Sequence, residues 1–364
     1  MKTKYVLLFL LFYVVHSFSQ DRVIGQIFDF STKEPIPGVA IYYENKTIGT
    51  TTDLNGEFSL KYSKKITSPL VFSIVGYTKF KMNSNEFTSK KKLIIYLKES
   101  LEALDEVVID PTGMKWQTKF EEFKTHYLGS TLNGRSCRIL NSKDLLLTYR
   151  PKEKMIVARS KVPILIENKK LKYLITVNDL HFEAKYRFIS KNYRLFDIES
   201  TYYNGSAFYK DLADSADIKT QEIRLQTYYG SVLHFMRSLA KGELKEEKFS
   251  VHVINRDVIR REDVSKRLVI SPLQNESVSV YIPRPHLAIF YKKDPDIFKD
   301  RSGVIIPGTA IGLFKKYSSM ESLVDRLYID FFGNYSFKDK VIFSGLFGKM
   351  KVGDTLPLDF LMEE

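Results

Sequence analysis

A single cysteine, Cys137, stands in 364 residues. That excludes an internal disulfide framework and a Cys-based zinc site. The histidines beyond the first 20 residues, His126, His181, His234, His252 and His286, are scattered. No two of them sit at i, i+4 around a Glu, so the metalloprotease helix is absent. No glycine-rich loop joins a strand to a helix, and no Gly-x-Ser-x-Gly elbow occurs, which removes the usual signatures of nucleotide binding and of serine hydrolysis. No metal or cofactor is expected. After the N-terminus no run of 18 apolar residues follows, so no later transmembrane helix is expected. Like charges do not cluster: Lys90-Lys91-Lys92, Lys169-Lys170 and Arg260-Arg261 are short runs, not a long block.

What is present begins with export. Lys2 and Lys4 precede the apolar run Val6–Val15, and Ser17 and Ser19 supply small residues before a cut after Ser19. This is the layout of a secretory signal peptide over residues 1–19. The run falls short of the roughly 20 residues of a comfortable span, a retained N-terminal anchor being the alternative. No Cys follows it to carry a lipid. The chain is therefore expected to be exported, to the periplasm, the outer membrane or the cell surface, with no transmembrane segment after cleavage. A mature chain of about 345 residues buries a large core without disulfides. Cys137, within the strand-like run Ser136–Leu140, reads as a small buried hydrophobe rather than a nucleophile.

The net charge is +13. Residues 21–109 hold 12 Lys/Arg against 11 Asp/Glu, and residues 110–364 hold 42 against 32, so the excess belongs to the C-terminal region. Basic surfaces attract polyanions. Export argues against nucleic acid and leaves an anionic envelope surface, a glycan or an envelope protein as partners. A charge spread this evenly also serves solubility alone.

Residues 20–99 carry short strand signals at regular spacing, the pattern of an all-β sandwich. Phe58, Leu60 and Tyr62 alternate with Glu57, Ser59 and Lys61, giving one buried and one wet face. Phe80 and Met82 alternate with Lys79 and Lys81. Leu93-Ile94-Ile95-Tyr96-Leu97 is continuously apolar and reads as a strand buried on both sides. Asp53-Leu54-Asn55-Gly56 has oxygen ligands of the kind that bind calcium, but a strand resumes at once at Glu57-Phe58. It reads as a β-hairpin turn, with Asp53 bonding its own backbone and Gly56 at positive φ. Taken together, Pro37-Gly38-Val39, Thr52-Asp53-Leu54-Asn55-Gly56-Glu57-Phe58 and Val75-Gly76-Tyr77 resemble a carboxypeptidase-like regulatory domain. The resemblance implies a seven-stranded, transthyretin-like sandwich, an accessory module without catalytic residues. Such modules stand at the N-termini of TonB-dependent outer-membrane receptors and of many other exported proteins. Only about 255 residues follow here, without a series of alternating ten-residue strands, so the receptor identity does not carry over. Leu101–Ile109 and the breaker cluster Asp110-Pro111-Thr112-Gly113 read as a linker over 100–113.

Residues 114–364 read as a β-rich α+β domain, making the protein mainly β. Trp116, Phe120, Phe123 and Tyr127 mark one face of an amphipathic helix, ended by Gly129 and docked on a sheet. A second helix is expected over Gly230–Ala240, ended near Gly242, with Val232, Phe235, Met236, Leu239 and Ala240 on its apolar face. Ser231, His234 and Ser238 lie within about 60° on the other face, a candidate functional surface. A Ser and a His at i, i+3 suggest nucleophile and base, but no acidic partner is evident. The competing reading is an N-cap Ser and a structurally bonded His. Glu121-Glu122 and Glu246-Glu247 read as solvated surface. The segments Phe123–Thr131, Pro163–Asn168, Tyr229–Leu239 and Asp354–Phe360 resemble recurrent pieces of an uncharacterised extension that follows this sandwich in one group of exported proteins, partly departed from at Leu171-Lys172-Tyr173. They mark a family and not a chemistry. The reading is thus a non-catalytic exported binding or structural module of the cell envelope, the alternative being an envelope hydrolase with a site near Ser231 and His234.

Overall fold

The computed structural model describes residues 21–87, 91–100, 113–214, 217–255, 258–273, 276–282, 286–292 and 317–361. The signal segment and the body of the expected linker, 101–112, lie outside the described residues.

Seven strands form the first unit: β1 (Arg22–Asp29), β2 (Ala40–Tyr43), β3 (Gly49–Thr51), β4 (Glu57–Lys61), β5 (Leu70–Ser73), β6 (Phe80–Met82) and β7 (Leu93–Leu97). They make two sheets, ordered β4-β1-β7 and β3-β2-β5-β6, with β1 parallel to β7 and antiparallel to β4. Period-two alternation sends Val23, Ile27, Phe58, Leu60, Ile95 and Leu97 from one sheet onto Ile41, Tyr43, Leu70 and Phe72 from the other. Two expectations need correction. In β7, Ile94 and Tyr96 are 49% and 48% exposed, because the three-stranded sheet is covered on one face only. Tyr96 instead stacks on Phe28, 5.7 Å between centroids. The Asp53–Gly56 turn has the expected chemistry: Asp53 Oδ1 accepts from Asn55 N at 2.9 Å and Glu57 N at 2.8 Å, and Gly56 has φ +71°. It is not a hairpin, however, since it carries the chain from β3 in one sheet to β4 in the other.

The middle unit opens with α1 (Trp116–Phe123), which continues as a π-helical turn, Lys124–Leu128, and stops at Gly129 with φ +98°. Phe123 and Tyr127 meet Phe182 edge-on at 5.1 and 5.8 Å, so this part of the aromatic stripe is core. Trp116 remains half exposed, stacked on Phe120. Then come α2 (Leu132–Ser136), β8 (Cys137–Ile139), β9 (Leu145–Arg150), β10 (Met155–Ser160), β11 (Ile164–Asn168), β12 (Tyr173–Ile189) and β13 (Phe196–Asp211). The 17-residue β12 organises the sheet. Its first half pairs β11, its second half pairs β10, and β13 runs antiparallel along it.

α3 (Ile218–Tyr228) packs back on the middle core through Ile223, Leu225 and Tyr228, and the last unit holds α4 (Val232–Lys241), β14 (Phe249–Asn255), β15 (Val258–Asp263), β16 (Val269–Pro272), β17 (Val278–Tyr281), β18 (His286–Tyr291), β19 (Ser318–Ser322), β20 (Arg326–Ile329), β21 (Val341–Ser344) and α5 (Gly345–Lys349). Its sheets run β15-β14-β18-β19-β21 and β16-β17-β20. They share a core with Phe235, Met236 and Leu239 of α4. No described helix is long and apolar enough to cross a membrane.

The units are joined by buried groups. Asn45 N donates to Ala207 O at 2.7 Å, and Tyr209 N to Lys46 O at 3.1 Å. Asn178 Nδ2 donates to the Tyr42 hydroxyl, which also meets Ser206 Oγ at 3.3 Å. Thr47 N donates to Asp359, and Leu358 N donates to Asn45 O at 2.8 Å. Phe332, far along the chain, completes the sandwich core. Arg237 of α4, buried, donates to the carbonyls of Phe332, Leu358 and Phe360 at 3.1, 2.9 and 2.9 Å, so a buried guanidinium is satisfied by backbone alone.

Candidate functional site

Segments that the sequence reading set apart meet in space beside the turn Val352–Asp354. Thr131 ends the first of them. It caps α2, its Oγ1 accepting from Gly134 N at 3.0 Å, and it donates to the Asp354 carboxylate at 2.9 Å. Asn133 Nδ2 donates to Asp354 Oδ1 at 3.1 Å and contacts Thr227 Oγ1 at 3.0 Å. Burial pushes the Asp354 carboxyl above its ordinary range, and these donors act against the rise. Asn168, at the end of the second segment, donates to Gly353 O at 2.9 Å and accepts from Leu171 N at 3.0 Å. A Cβ on Gly353 would lie 2.4 Å from Gly134 Cα and 2.5 Å from Leu128 O, so the turn reaches this floor only because residue 353 lacks a side chain.

A cleft opens on either side of Thr131 and Met350. One chamber, of about 380 Å³, is walled mainly by Tyr229, Phe249, Ile289, Tyr291, Phe347 and Met350. The other, of about 360 Å³, is of mixed character, with Asn133, Lys170, Gln226, Thr227 and Asp354 beside Leu132, Ile223 and Met350. Both lie in the size range of small-molecule sites. Gly230 lets the first chamber's wall close: a Cβ there would meet the Tyr291 ring at 2.6 Å, and its φ is +79°.

The candidate residues Ser231, His234 and Ser238 lie behind that wall. The expected surface is corrected to an interior, since all three are buried and His234 is 2% exposed. The helix face opposite the apolar stripe meets rings from elsewhere in the chain. Tyr228, Tyr229, Phe249 and Tyr291 surround the imidazole at centroid distances of 4.9, 5.4, 4.9 and 5.5 Å. Ser231 is the N-cap of α4, its Oγ accepting from the backbone N of His234 at 3.1 Å. His234 Nδ1 accepts from Gly230 N at 3.0 Å, which places the ring proton on Nε2, facing Glu247 Oε2 at 2.9 Å. Ser238 Oγ donates to His234 O at 2.8 Å. Both ring nitrogens are committed, and neither faces Ser231 Oγ. Glu247 supplies the acidic partner that the sequence did not reveal; it stands in a loop 13 residues on, with no periodic signal to connect it. Burial lowers the His234 pKa, and Glu247 acts against the fall. A neutral imidazole with its acceptor occupied does not activate a hydroxyl.

Cys137 is half buried at the edge of the middle core, its Sγ 3.4 Å from Asn133 O. Burial, aided by the Asp354 charge, pushes its thiol up to about 12, which keeps it protonated and a poor nucleophile. Among the described residues no cluster of three His, Cys, Asp or Glu side chains is placed to hold a metal ion.

Comparison with known proteins concerns the first unit. Residues 23–109 match the family model of the CarboxypepD_reg-like domain. Over 99 residues the chain is 31% identical to the TonB-dependent receptor SusC of Bacteroides thetaiotaomicron, a stretch that is 27% of this chain and 9% of the receptor. The N-terminal region is a CarboxypepD_reg-like β-sandwich, as its turn and strand motifs led us to expect. The matched segment ends before the residues that build the cleft.

Proposed function

We propose that the protein is an exported, non-catalytic accessory protein of the cell envelope, and that it binds its partner through the cleft beside Thr131 and Met350. The observation that carries this reading is the site itself. Segments distant in sequence converge on a cleft with aromatic and hydrogen-bonding walls, while Ser231 and His234 behind it are tied into helix capping and packing. The sandwich supports the envelope setting, because a TonB-dependent receptor carries a similar N-terminal stretch. Export rests on Lys2–Ser19 and is tested by N-terminal sequencing of the secreted chain, expected to begin at Gln20.

Binding is tested with the full mature chain as bait for envelope extract, beside Met350→Trp, which puts a larger side chain at a position lining both chambers. The full chain is needed because Phe332 belongs to the sandwich core. An envelope protein, glycan or anionic polymer retained by the wild type and lost by the variant supports the reading. Equal retention by both, or none by either, overturns it. Hydrolysis of an ester, amide or glycoside that falls by orders of magnitude in Ser231→Ala and His234→Ala would overturn the non-catalytic part.

A further inference from the structure

Resting on that binding reading, we infer that the apolar chamber takes the chain or ring of an anionic amphiphile, a single apolar group ending in a carboxylate or phosphate. The walls decide the apolar half. Tyr229, Phe249, Ile289, Tyr291, Phe347 and Met350 offer rings and alkyl groups. The two aliphatic hydroxyls that line the chamber already have partners: Ser318 Oγ accepts from Phe347 N at 3.1 Å, and Thr131 Oγ1 is held by Gly134 N and Asp354. Beyond the Tyr229 and Tyr291 hydroxyls a polyhydroxylated ligand would meet mainly carbon here and leave many of its own groups unpaired, which is costly. An alkyl chain or ring asks for no partners there. The rim decides the charged half. No Asp or Glu lines this chamber, whereas Lys349 does, on the exposed end of α5. The Lys292 ammonium stands 5.1 Å from the Tyr291 ring centroid and 5.6 Å from that of Tyr229, beside the same two walls. The mixed chamber across Met350 balances its one cation, Lys170, against the buried Asp354 carboxyl, so it offers no net positive lining to an anion.

The test is a calorimetric titration of the full mature chain with hexanoate, octanoate and decanoate below their micellar concentrations, with octan-1-ol as the neutral probe. Affinity is expected to rise with chain length, at most about fourfold per methylene, until the chamber is full. Lys349→Gln and Lys292→Gln are expected to weaken octanoate about threefold each, in line with exposed charge pairs, and to leave octan-1-ol unchanged. Met350→Trp should abolish binding of both probes while keeping the wild-type circular dichroism spectrum. Methyl resonances of Met350, Ile289 and Leu346 should shift on titration and provide a second reading that needs no variant. Co-sedimentation with phosphatidylglycerol vesicles, lost in Met350→Trp, would identify a membrane lipid as the source of the chain; octanoate binding without vesicle binding would identify a free acid. No saturable binding, no dependence on chain length, or equal lysine effects on acid and alcohol would overturn the proposal. Envelope retention lost in Met350→Trp without any amphiphile binding would sink this ligand class and leave the binding reading standing. Amphiphile binding with no envelope component retained would do the reverse.

Discussion

Lys46 links the sandwich to the rest of the chain, and substituting it tests the physics of that junction. The side chain is fully buried, its Nζ lies 3.2 Å from the Phe332 ring centroid, and it has no hydrogen-bond partner. Desolvation lowers its pKa from 10.5 to about 8, against the attraction of Asp330 and Asp359 and with the repulsion of Arg237. At 1.36 kcal/mol for each factor of ten in proton affinity, the buried ammonium costs the fold about 3 kcal/mol at pH 7. The sign follows from proton counting. Between about 8 and 10.5 the unfolded chain holds the Lys46 proton and the folded chain does not, so stability from this group rises with pH. The gain from pH 7 to pH 9 is about 1 kcal/mol. Lys46→Met keeps the packing and removes the charge, and replacing a buried charge by a well-packed apolar group is often neutral or stabilising. The variant is expected to be more stable than wild type by about 1–3 kcal/mol at pH 7, with the advantage shrinking by about 1 kcal/mol at pH 9. Urea denaturation at pH 7, 8 and 9, followed by circular dichroism, measures both quantities. Lys79, also lowered to about 8 by burial, titrates alike in both proteins, so the difference isolates Lys46. A variant less stable by more than about 1 kcal/mol at pH 7 would mean that the ring and the two carboxylates outweigh desolvation. An unchanged difference at pH 9 would mean that the ammonium is not desolvated in the fold.

Three further outcomes follow from the same geometry. Phe332→Ala should cost about 3–5 kcal/mol, as for other buried aromatics, and should weaken the sandwich and the C-terminal region together in urea denaturation read by hydrogen exchange of both. Stability should fall as pH drops below about 6.5, because the unfolded His234 takes a proton that the folded one, its pKa lowered by burial, resists; His234→Gln should flatten that limb of a stability-versus-pH curve. Half-buried Cys137 in the folded protein should react with a thiol reagent at pH 8 far more slowly than in urea, since burial raises its pKa; equal rates would refute that shielding.

The parts of the fold that were legible in the sequence are those set by local chemistry. Asp53 and Gly56 shape a turn through their own backbone, Gly129 and Gly242 stop helices at positive φ, and Ser231 caps α4; each signal lies within a few residues of its effect. The failures are of a different kind. The run Leu93–Leu97 alternates in burial although every residue is apolar, because outward Ile94 and Tyr96 lie on a sheet face with no second layer. The turn at Asp53–Gly56 was legible as a turn, but which sheet received the next strand was not. Local sequence reports backbone conformation and one-residue periodicity, and it is silent on what stands across the interface.

The candidate site shows the same division at larger separation. Helical spacing correctly grouped Ser231, His234 and Ser238 on one face of α4, yet spacing alone assigned that face to solvent. Rings at positions 229, 249 and 291 cover it, and nothing in the helix itself encodes their arrival. Phe332 likewise enters a sandwich core more than 230 residues upstream of it, and Arg237 finds its acceptors at Phe332, Leu358 and Phe360. These contacts are hydrogen-bonded or close-packed and buried, so they specify relative position in a way that a bare apolar boundary does not. It follows that cutting the chain at the expected linker would remove a wall of the C-terminal region's polar junction and open the sandwich core at Phe332. If Asp110–Glu364 alone nonetheless retains native dispersion in a proton–nitrogen NMR spectrum, the junction is an addition to two self-sufficient folds. If it collapses to a molten spectrum, the CarboxypepD_reg-like unit is part of what folds the cleft, which gives an accessory sandwich a physical task without any chemistry of its own.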